Sequence, residues 1–209
     1  MSLTITPHKP KAKKPVIKVW CKLGASLLAL ICTMSTGLVH GAWQLDNQLS
    51  SLNFISTKAT HIAETHTFDT LAGTISDSGE ASITIDLTSV NTGIAIRDER
   101  MQSMLFNVAD FPKAKITATV DLQSINNGTS TYLPIVGTLS LAGASTSVAG
   151  EVLVIPDGAD AVTVTTVTPV IIKASSLSLE PGIEALRNVA GLPSIGYSVP
   201  VTFSLTFKR

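Results

Sequence analysis

The sequence predicts an all-β protein of about eight antiparallel strands, arranged as a sandwich or a closed barrel. From residue 43 onward, apolar and polar residues alternate with a period of two in run after run. Turn-forming stretches such as Asp77-Ser78-Gly79 and Pro156-Asp157-Gly158 separate these runs. Alternation of this kind gives each strand one apolar face and one polar face, so the chain can bury a core between its strands.

Eight runs carry the strand pattern, and the last of them shows it most clearly, with Val199, Val201 and Phe203 alternating with polar residues. The predicted strands span residues 50–57, 68–76, 81–87, 115–122, 131–141, 146–155, 161–173 and 199–207. If these strands close into a barrel, no strand edge is left free. The interior is then either filled by side chains or holds one ligand.

Two segments break the alternation and predict short helices that plug an end of the barrel. Residues 94–106 contain four consecutive charges, and apolar residues follow them. One helical face of this segment would carry Arg97, Met101, Met104 and Leu105. Residues 179–189 have Pro181 in the first turn and apolar residues every three positions, and Gly191 follows their end.

Arg97 has two interpretations, and both stay open at the level of sequence. A guanidinium can clamp a carboxylate, a phosphate or a quinone oxygen, which makes Arg97 a candidate ligand-binding residue. Arg97 also lies in line with apolar positions, so burial would require pairing with Asp98 or with a carboxylate from a neighbouring strand. We favour the ion pair, and we expect Arg97→Ala to affect stability more than ligand identity.

The N-terminal region predicts a signal peptide over residues 1–41. Residues 1–22 contain six lysines and no acidic residue, and an apolar run follows over residues 23–39. Gly41 and Ala42 are small enough for cleavage, and an uncleaved membrane anchor is the alternative. We therefore expect a periplasmic protein whose single domain spans residues 42–209. Both cysteines lie in the leader, so this domain has no disulfide.

Removing the leader changes the charge of the chain and excludes one class of partner. The domain keeps nine of the 15 basic residues and all 15 acidic residues, which gives a net charge near −6. Because binding to nucleic acid requires a basic surface, we expect no nucleic-acid partner.

The domain lacks the motifs that carry catalysis or bind metals and cofactors. It contains no nucleophile elbow, phosphate-binding loop, dinucleotide fingerprint or zinc-binding spacing. Only His61 and His66 remain after the leader, and residues five apart point to opposite faces of a strand. We predict no catalytic residue, no metal site and no cofactor. The competing classes are a hydrolase using Glu64 or His66 and a membrane-spanning barrel, although nine aromatic residues are few for two aromatic girdles.

Five ordered segments make the chain resemble the YceI-like family of secreted bacterial lipid-binding proteins. They are Trp43-Gln44-Leu45-Asp46 with Ser50 and Phe54, residues 68–75, residues 90–106, residues 111–116 and residues 136–143. The resemblance implies an eight-stranded, lipocalin-like barrel whose pore holds a polyisoprenoid or the tail of an isoprenoid quinone. It also implies transient contacts with inner-membrane proteins. The insertion around residues 182–193 departs from the commoner family pattern and affects one mouth of the barrel.

A lipid-binding barrel would contact its ligand through the inward apolar residues of the strands. The predicted contacts, together with Arg97, are Leu52, Phe54, Ile83, Ile85, Leu139, Leu141, Phe203 and Leu205. Burial of hydrocarbon contributes about 0.8 kcal/mol per CH₂, so a lipid can bind without charged contacts. The alternative is a stress-related barrel whose interior is fully packed and which acts through protein partners.

Overall fold

A computed structural model describes residues 42–126 and 128–209, and the predicted signal peptide lies outside these residues. The described strands are β1 (Trp43–Leu45), β2 (Ser51–Lys58), β3 (Ile62–Phe68), β4 (Leu71–Ile75), β5 (Glu80–Asp86), β6 (Val90–Asn91), β7 (Lys113–Thr119), β8 (Thr131–Leu141), β9 (Ala144–Asp157), β10 (Ala161–Thr166), β11 (Val170–Lys173) and β12 (Ser198–Lys208). The described α-helices are α1 (Ala95–Arg100), α2 (Leu122–Asn126) and α3 (Glu180–Val189), and a π-helix over Met101–Phe106 continues α1.

Eight of these strands close into an antiparallel barrel. The hydrogen-bonded order is β1-β4-β5-β7-β8-β9-β10-β12, and β12 returns to pair with β1. Trp43 faces Ile75 on one side of the closing strand, and Leu45 faces Phe207 on the other side. The prediction of an eight-stranded antiparallel barrel is confirmed, and the chain order makes it a meander of neighbouring strands.

The remaining strands, β2, β3, β6 and β11, lengthen the barrel wall at one end, because long strands are interrupted. A turn of 3₁₀ helix at Asn47–Leu49 separates β1 from β2, which also pairs with β12. A break after Phe68 separates β3 from β4, and β11 likewise continues beyond β10 along β12. The Asn47 side chain joins two interruptions, since its Oδ1 accepts from Leu71 N at 2.6 Å and its Nδ2 donates to Asp69 O at 3.1 Å.

The β8–β9 hairpin shows how the sequence sets a tight turn. Ala142 and Gly143 form its two-residue loop with φ angles of 49° and 82°. Two positive φ angles define a type I′ turn, which matches the twist of the flanking strands and favours glycine. A Cβ atom on Gly143 would also lie 2.8 Å from the Phe111 ring, so this glycine fits both the turn and its neighbour.

The helical segments were predicted at 94–106 and 179–189, and both are confirmed as α1 with its π-helix and as α3. The predicted inward position of Met104 is wrong, because its side chain is 39% exposed while Met101 and Phe106 are buried. A π-helix has more residues per turn than an α-helix. The inward residues are therefore spaced more widely than an α-helix predicts, and Phe106, five positions after Met101, is buried in place of Met104.

One helix was not predicted. The strand expected over residues 115–122 ends at Thr119, and α2 follows with Ile125 buried. Asp121 begins this helix, because its carboxylate accepts hydrogen bonds from Gln123 N and Ser124 Oγ at 3.0 and 2.9 Å. Since α2 follows β7 and α1 precedes it, the two helices lie at opposite ends of the barrel.

Candidate binding cavity

The barrel surrounds a cavity with a volume of about 250 Å³. Every residue that lines it is apolar, and the lining comes from strands on all sides of the barrel. The π-helix and α3 contribute Met101, Leu105, Phe106 and Ile183. A cavity of this kind can exclude water and hold hydrocarbon, but it offers no group for acid–base or nucleophilic chemistry.

All eight apolar residues predicted as ligand contacts line this cavity. They are Leu52, Phe54, Ile83, Ile85, Leu139, Leu141, Phe203 and Leu205. Strand alternation places them inward, as the sequence indicated, and all but Leu141 and Phe203 are buried. Their contact with a ligand stays a prediction, because the position of a side chain on the wall does not identify what fills the space.

Small residues keep part of the interior empty. Ala81 on β5 pairs with Ala118 on β7, and Ala118 in turn pairs with Gly137 on β8. Both alanines line the cavity. Large side chains at these positions would project into the same space, so the short row Ala81-Ala118-Gly137 is one reason why the barrel is not filled. Sequence alternation did not reveal it, because alanine occurs on both faces of strands.

The π-helix and α3 cover one end of the cavity and pack closely against each other. A Cβ atom on Gly182 would lie 2.7 Å from Met104 O and 3.0 Å from Leu105 Cα. Only glycine permits this separation without movement of a backbone. Leu105 and Ile183 flank the contact and line the cavity, so the approach of the two helices at Gly182 sets the shape of this end.

Arg97 does not line the cavity and is held by polar partners beside it. Its Nη1 donates to Glu64 Oε2 at 2.9 Å, and its Nε and Nη2 donate to Thr92 Oγ1 and Thr92 O at 2.8 and 2.7 Å. Asp98 accepts from the Thr92 hydroxyl and backbone N–H instead of pairing with Arg97. Of the carboxylates considered from sequence, the partner is therefore the one on a neighbouring strand, Glu64 of β3.

Glu64 joins two cations and anchors α1 to the β2–β3 hairpin. Lys58 Nζ lies 2.7 Å from the same Oε2 atom that binds Arg97. The hydrogen bond from Lys58 lowers the pKa of Glu64 more than burial raises it, and the charge of Arg97 lowers it further. The side chains of Glu64 and Arg97 are 33% and 25% exposed, so solvent screens this pair in part.

The sequence pattern predicted the wrong environment for His66. The stretch around residues 61–66 was expected to be a loop or a strand end, but β3 begins at Ile62 and His66 is 3% exposed. Its ring lies 5.2 Å from the Phe54 ring, and Nε2 is 2.9 Å from Ser56 Oγ. Burial and the nearby charge of Arg97 lower the pKa of His66, so the neutral imidazole is favoured.

His61 lies in the exposed turn before β3 and does not join His66. Among the described residues, no group of three or more His, Cys, Asp or Glu side chains could hold a metal ion. Within residues 42–126 and 128–209, no helix is long and apolar enough to cross a membrane.

Comparison with known proteins identifies the barrel. The YceI-like domain matches residues 43–207. The chain belongs to the YceI-like family. A polyisoprenoid-binding domain from Saccharophagus degradans, implicated in plant cell wall breakdown, is 42% identical, with 80% of this chain and 98% of that chain covered and a TM-score of 0.78. The match spans nearly the whole neighbour, so the similarity concerns the full barrel.

Two more distant solved structures support the fold. BcnA from Burkholderia cenocepacia is 19% identical, with 78% of this chain and 98% of that chain covered and a TM-score of 0.61. A YceI protein from Campylobacter jejuni is 15% identical, with 69% and 84% covered and a TM-score of 0.51. No curated protein matches the chain.

Proposed function

We propose that this YceI-like protein binds an apolar long-chain lipid in its barrel, with a polyisoprenoid or the tail of an isoprenoid quinone as the ligand. The observation that carries the proposal is a closed barrel around a cavity whose lining is wholly apolar. The 42% identity to a domain that binds polyisoprenoids supports the same ligand class. Storage or transport of the lipid follows from a cavity that buries hydrocarbon and carries no catalytic group.

The volume of the cavity is consistent with a short section of isoprenoid chain. A cavity of about 150 Å³ accommodates benzene, which has six carbons. The 250 Å³ here therefore suit about ten carbons, or two isoprene units, without movement of the walls. Ten buried carbons contribute roughly 8 kcal/mol before the costs of association, which is enough for useful affinity without an ion pair. A longer tail requires side chains or the end helices to move.

The periplasm is the proposed compartment. A basic segment followed by an apolar run over residues 1–39 is typical of an exported protein. Export would place an apolar binding protein in an aqueous space where free isoprenoids are poorly soluble. A carrier at this location would meet lipids and transient protein partners at the inner membrane.

A blocked cavity tests the proposal. Ala118→Phe adds a ring at the row of small residues, whereas Thr117→Phe adds the same ring on the exposed face one residue away. We expect delipidated wild-type protein and Thr117→Phe to take up geranylgeraniol from a dispersion, and Ala118→Phe to take up at least tenfold less. Native mass spectrometry counts the complexes, and thermal melts confirm folding. Failure of folded wild-type protein to bind would favour a packed barrel that acts through protein partners.

A further inference from the structure

The barrel wall has a gap in its hydrogen bonding between β9 and β11. Strand β8 pairs with residues 144–154 of β9, whereas β10 pairs with β9 only from Val152 onward. Within residues 42–126 and 128–209, neither residues 144–150 of β9 nor β11 has a second strand partner on the side that faces the gap. Two strand edges therefore face each other without the hydrogen bonds that join the eight barrel strands.

Side-chain packing closes this gap in place of backbone hydrogen bonds. A Cβ atom on Gly150 of β9 would lie 3.0 Å from Cγ2 of Val170 on β11, so the two strands touch at this point. The 3₁₀ turn at Ala174–Leu177 lies against β9 and bounds the gap beyond β11. Contacts between apolar side chains can separate and reform without the loss of a strand pairing, so the gap is a weak part of the wall.

The cavity extends to the gap. Val148 and Ala149 of β9 line the cavity, and so do Val170 and Ile172 of β11. Ala149 is the informative member, because alternation places it on the outer face of β9 with Ser147 and it is exposed to solvent. The other lining residues in the described part of the chain are buried or half-buried. The cavity therefore comes closest to solvent at this edge of β9.

Three exposed apolar side chains surround the outer side of the gap. Val136 pairs with Ala149 from the neighbouring strand β8, Val167 N donates to Glu151 O at 3.0 Å, and Ile171 lies on the outer face of β11. Their exposed fractions are 66%, 41% and 52%. A single exposed apolar residue is ordinary, but these three, here called the rim, continue the apolar lining of the cavity onto the outer wall.

Polar contacts hold both ends of the barrel more firmly. At the helical end, ion pairs join α1 to the β2–β3 hairpin, and Gly196 N donates to Thr57 O at 2.7 Å, which ties the segment after α3 to β2. At the other end, the Arg209 guanidinium lies 4.0 Å over the Trp43 ring and donates to Asn126 Oδ1 at 3.1 Å. Opening either end breaks such contacts, whereas opening the gap separates apolar side chains.

We propose that the lipid enters and leaves the cavity through the wall, between β9 and β11, with its chain passing over the rim. Among the described residues, β11 pairs with β12 alone, so β11 can move outward while β12 keeps its pairings with β10 and β2. The rim covers part of the chain during passage and reduces the apolar surface exposed to water. This inference rests on the proposed function, because it assigns the route of the lipid to the same cavity.

A disulfide across the gap tests the route. The 3.0 Å between a Cβ on Gly150 and Val170 Cγ2 matches the separation of a Cβ atom from the far sulfur in a disulfide, which is about 3 Å. Gly150→Cys with Val170→Cys should therefore form a bond that holds β11 against β9. Cys21→Ser and Cys32→Ser in the same chain leave the introduced pair as its only thiols.

A second disulfide at the helical end is the matched control. A Cβ atom on Gly196 would lie 3.7 Å from Thr57 Cβ, within the range of about 3.5–4.5 Å found in disulfides. Thr57→Cys with Gly196→Cys in the same serine background therefore locks the segment after α3 to β2. Neither residue lines the cavity or the gap.

Native mass spectrometry at a series of times after mixing measures uptake of geranylgeraniol by each delipidated protein. We expect the oxidised pair across the gap to slow uptake and release about tenfold or more, and reduction to restore the wild-type rates. The oxidised control should stay within about twofold of wild type. Equal rates in the oxidised and reduced gap pair, or slowing by the control pair alone, would overturn the route while lipid binding stands. Wild-type protein that takes up no lipid would refute the proposed function itself.

Surface substitutions test the same route without cysteines if a double variant does not fold. Ile171 at the rim and Ile96 on α1 are each 52% exposed, and neither lines the cavity. Ile171→Ser should slow uptake and release alike by about threefold, because a polar side chain interrupts the apolar rim, and Ile96→Ser should keep the wild-type rates. Equal rates in the two variants, or slower uptake in Ile96→Ser, would contradict passage over the rim.

Discussion

The ion-pair cluster at Arg97 predicts that this residue stabilises the fold and does not select the ligand. Arg97→Ala removes three donated hydrogen bonds, one to Glu64 and two to Thr92. Each such bond contributes about 0.5–1.5 kcal/mol net, and partial exposure of the pair favours the lower part of this range. We therefore expect a loss of roughly 2 kcal/mol in the free energy of unfolding, or about 4–8 °C in Tm.

Chemical and thermal denaturation of wild type and variants measure this loss. Arg100→Ala is the matched control on α1, because no ion pair or side-chain hydrogen bond of Arg100 is present in residues 42–126 and 128–209. The control should change stability by no more than about 0.5 kcal/mol. Arg97→Lys should be intermediate, since it keeps the charge facing Glu64 and loses the planar fork that binds Thr92.

The identity of the bound lipid completes the test of Arg97. Lipid extracted from Arg97→Ala should match lipid extracted from the wild-type protein in both head group and chain length. A variant as stable as wild type that carries a different lipid would refute the reasoning, and it would make Arg97 a ligand contact.

Two further predictions follow from buried contacts. The pKa of His66 is lowered in the folded state, so the unfolded state binds more protons between the folded pKa and the ordinary histidine value of about 6.5. The free energy of unfolding should therefore fall as pH decreases below about 6.5. This dependence on pH, measured by denaturation at a series of pH values, should become weaker in His66→Gln and stay as in wild type in His61→Gln. The same dependence on pH in both variants would contradict this reasoning. Gly182→Ala should cost about 1–3 kcal/mol by forcing α3 away from Met104 and Leu105, whereas Gly196→Ala, whose nearest neighbour would lie at 3.5 Å, should be nearly neutral in the same assay. Equal effects of the two alanines would show that the close approach at Gly182 does not contribute.

The residues that the sequence identified are those whose position depends on local alternation. Strand periodicity placed Ile83, Leu139 and Leu205 on the cavity wall, because a side chain's face is set by its neighbours in the same strand. The family resemblance added the closed barrel, whose final pairing of β1 with β12 joins residues far apart in the chain. A pairing between the first and last strands of the domain leaves no pattern in the local sequence, so composition and periodicity do not predict it.

Strand β3 shows why the rest was missed. Its inward face carries Glu64 and His66 as well as Phe68, so apolar and polar residues do not alternate and the binary pattern is lost. The polar residues are accommodated because Lys58, Arg97 and Ser56 are brought to them by other elements. The cavity likewise depends on contacts between distant parts of the chain. The row of small residues leaves space in the interior only because β5, β7 and β8 lie side by side in the folded barrel.

The measurement that tests lipid binding most directly is mass spectrometry of the intact protein, purified from its native compartment without detergent. Denaturing conditions give the covalent mass and hence the state of the leader, and native conditions give the mass with any bound lipid. The account predicts a native excess of several hundred daltons that extracts into organic solvent and fragments as an isoprenoid. A folded protein whose native and denatured masses agree would contradict the account.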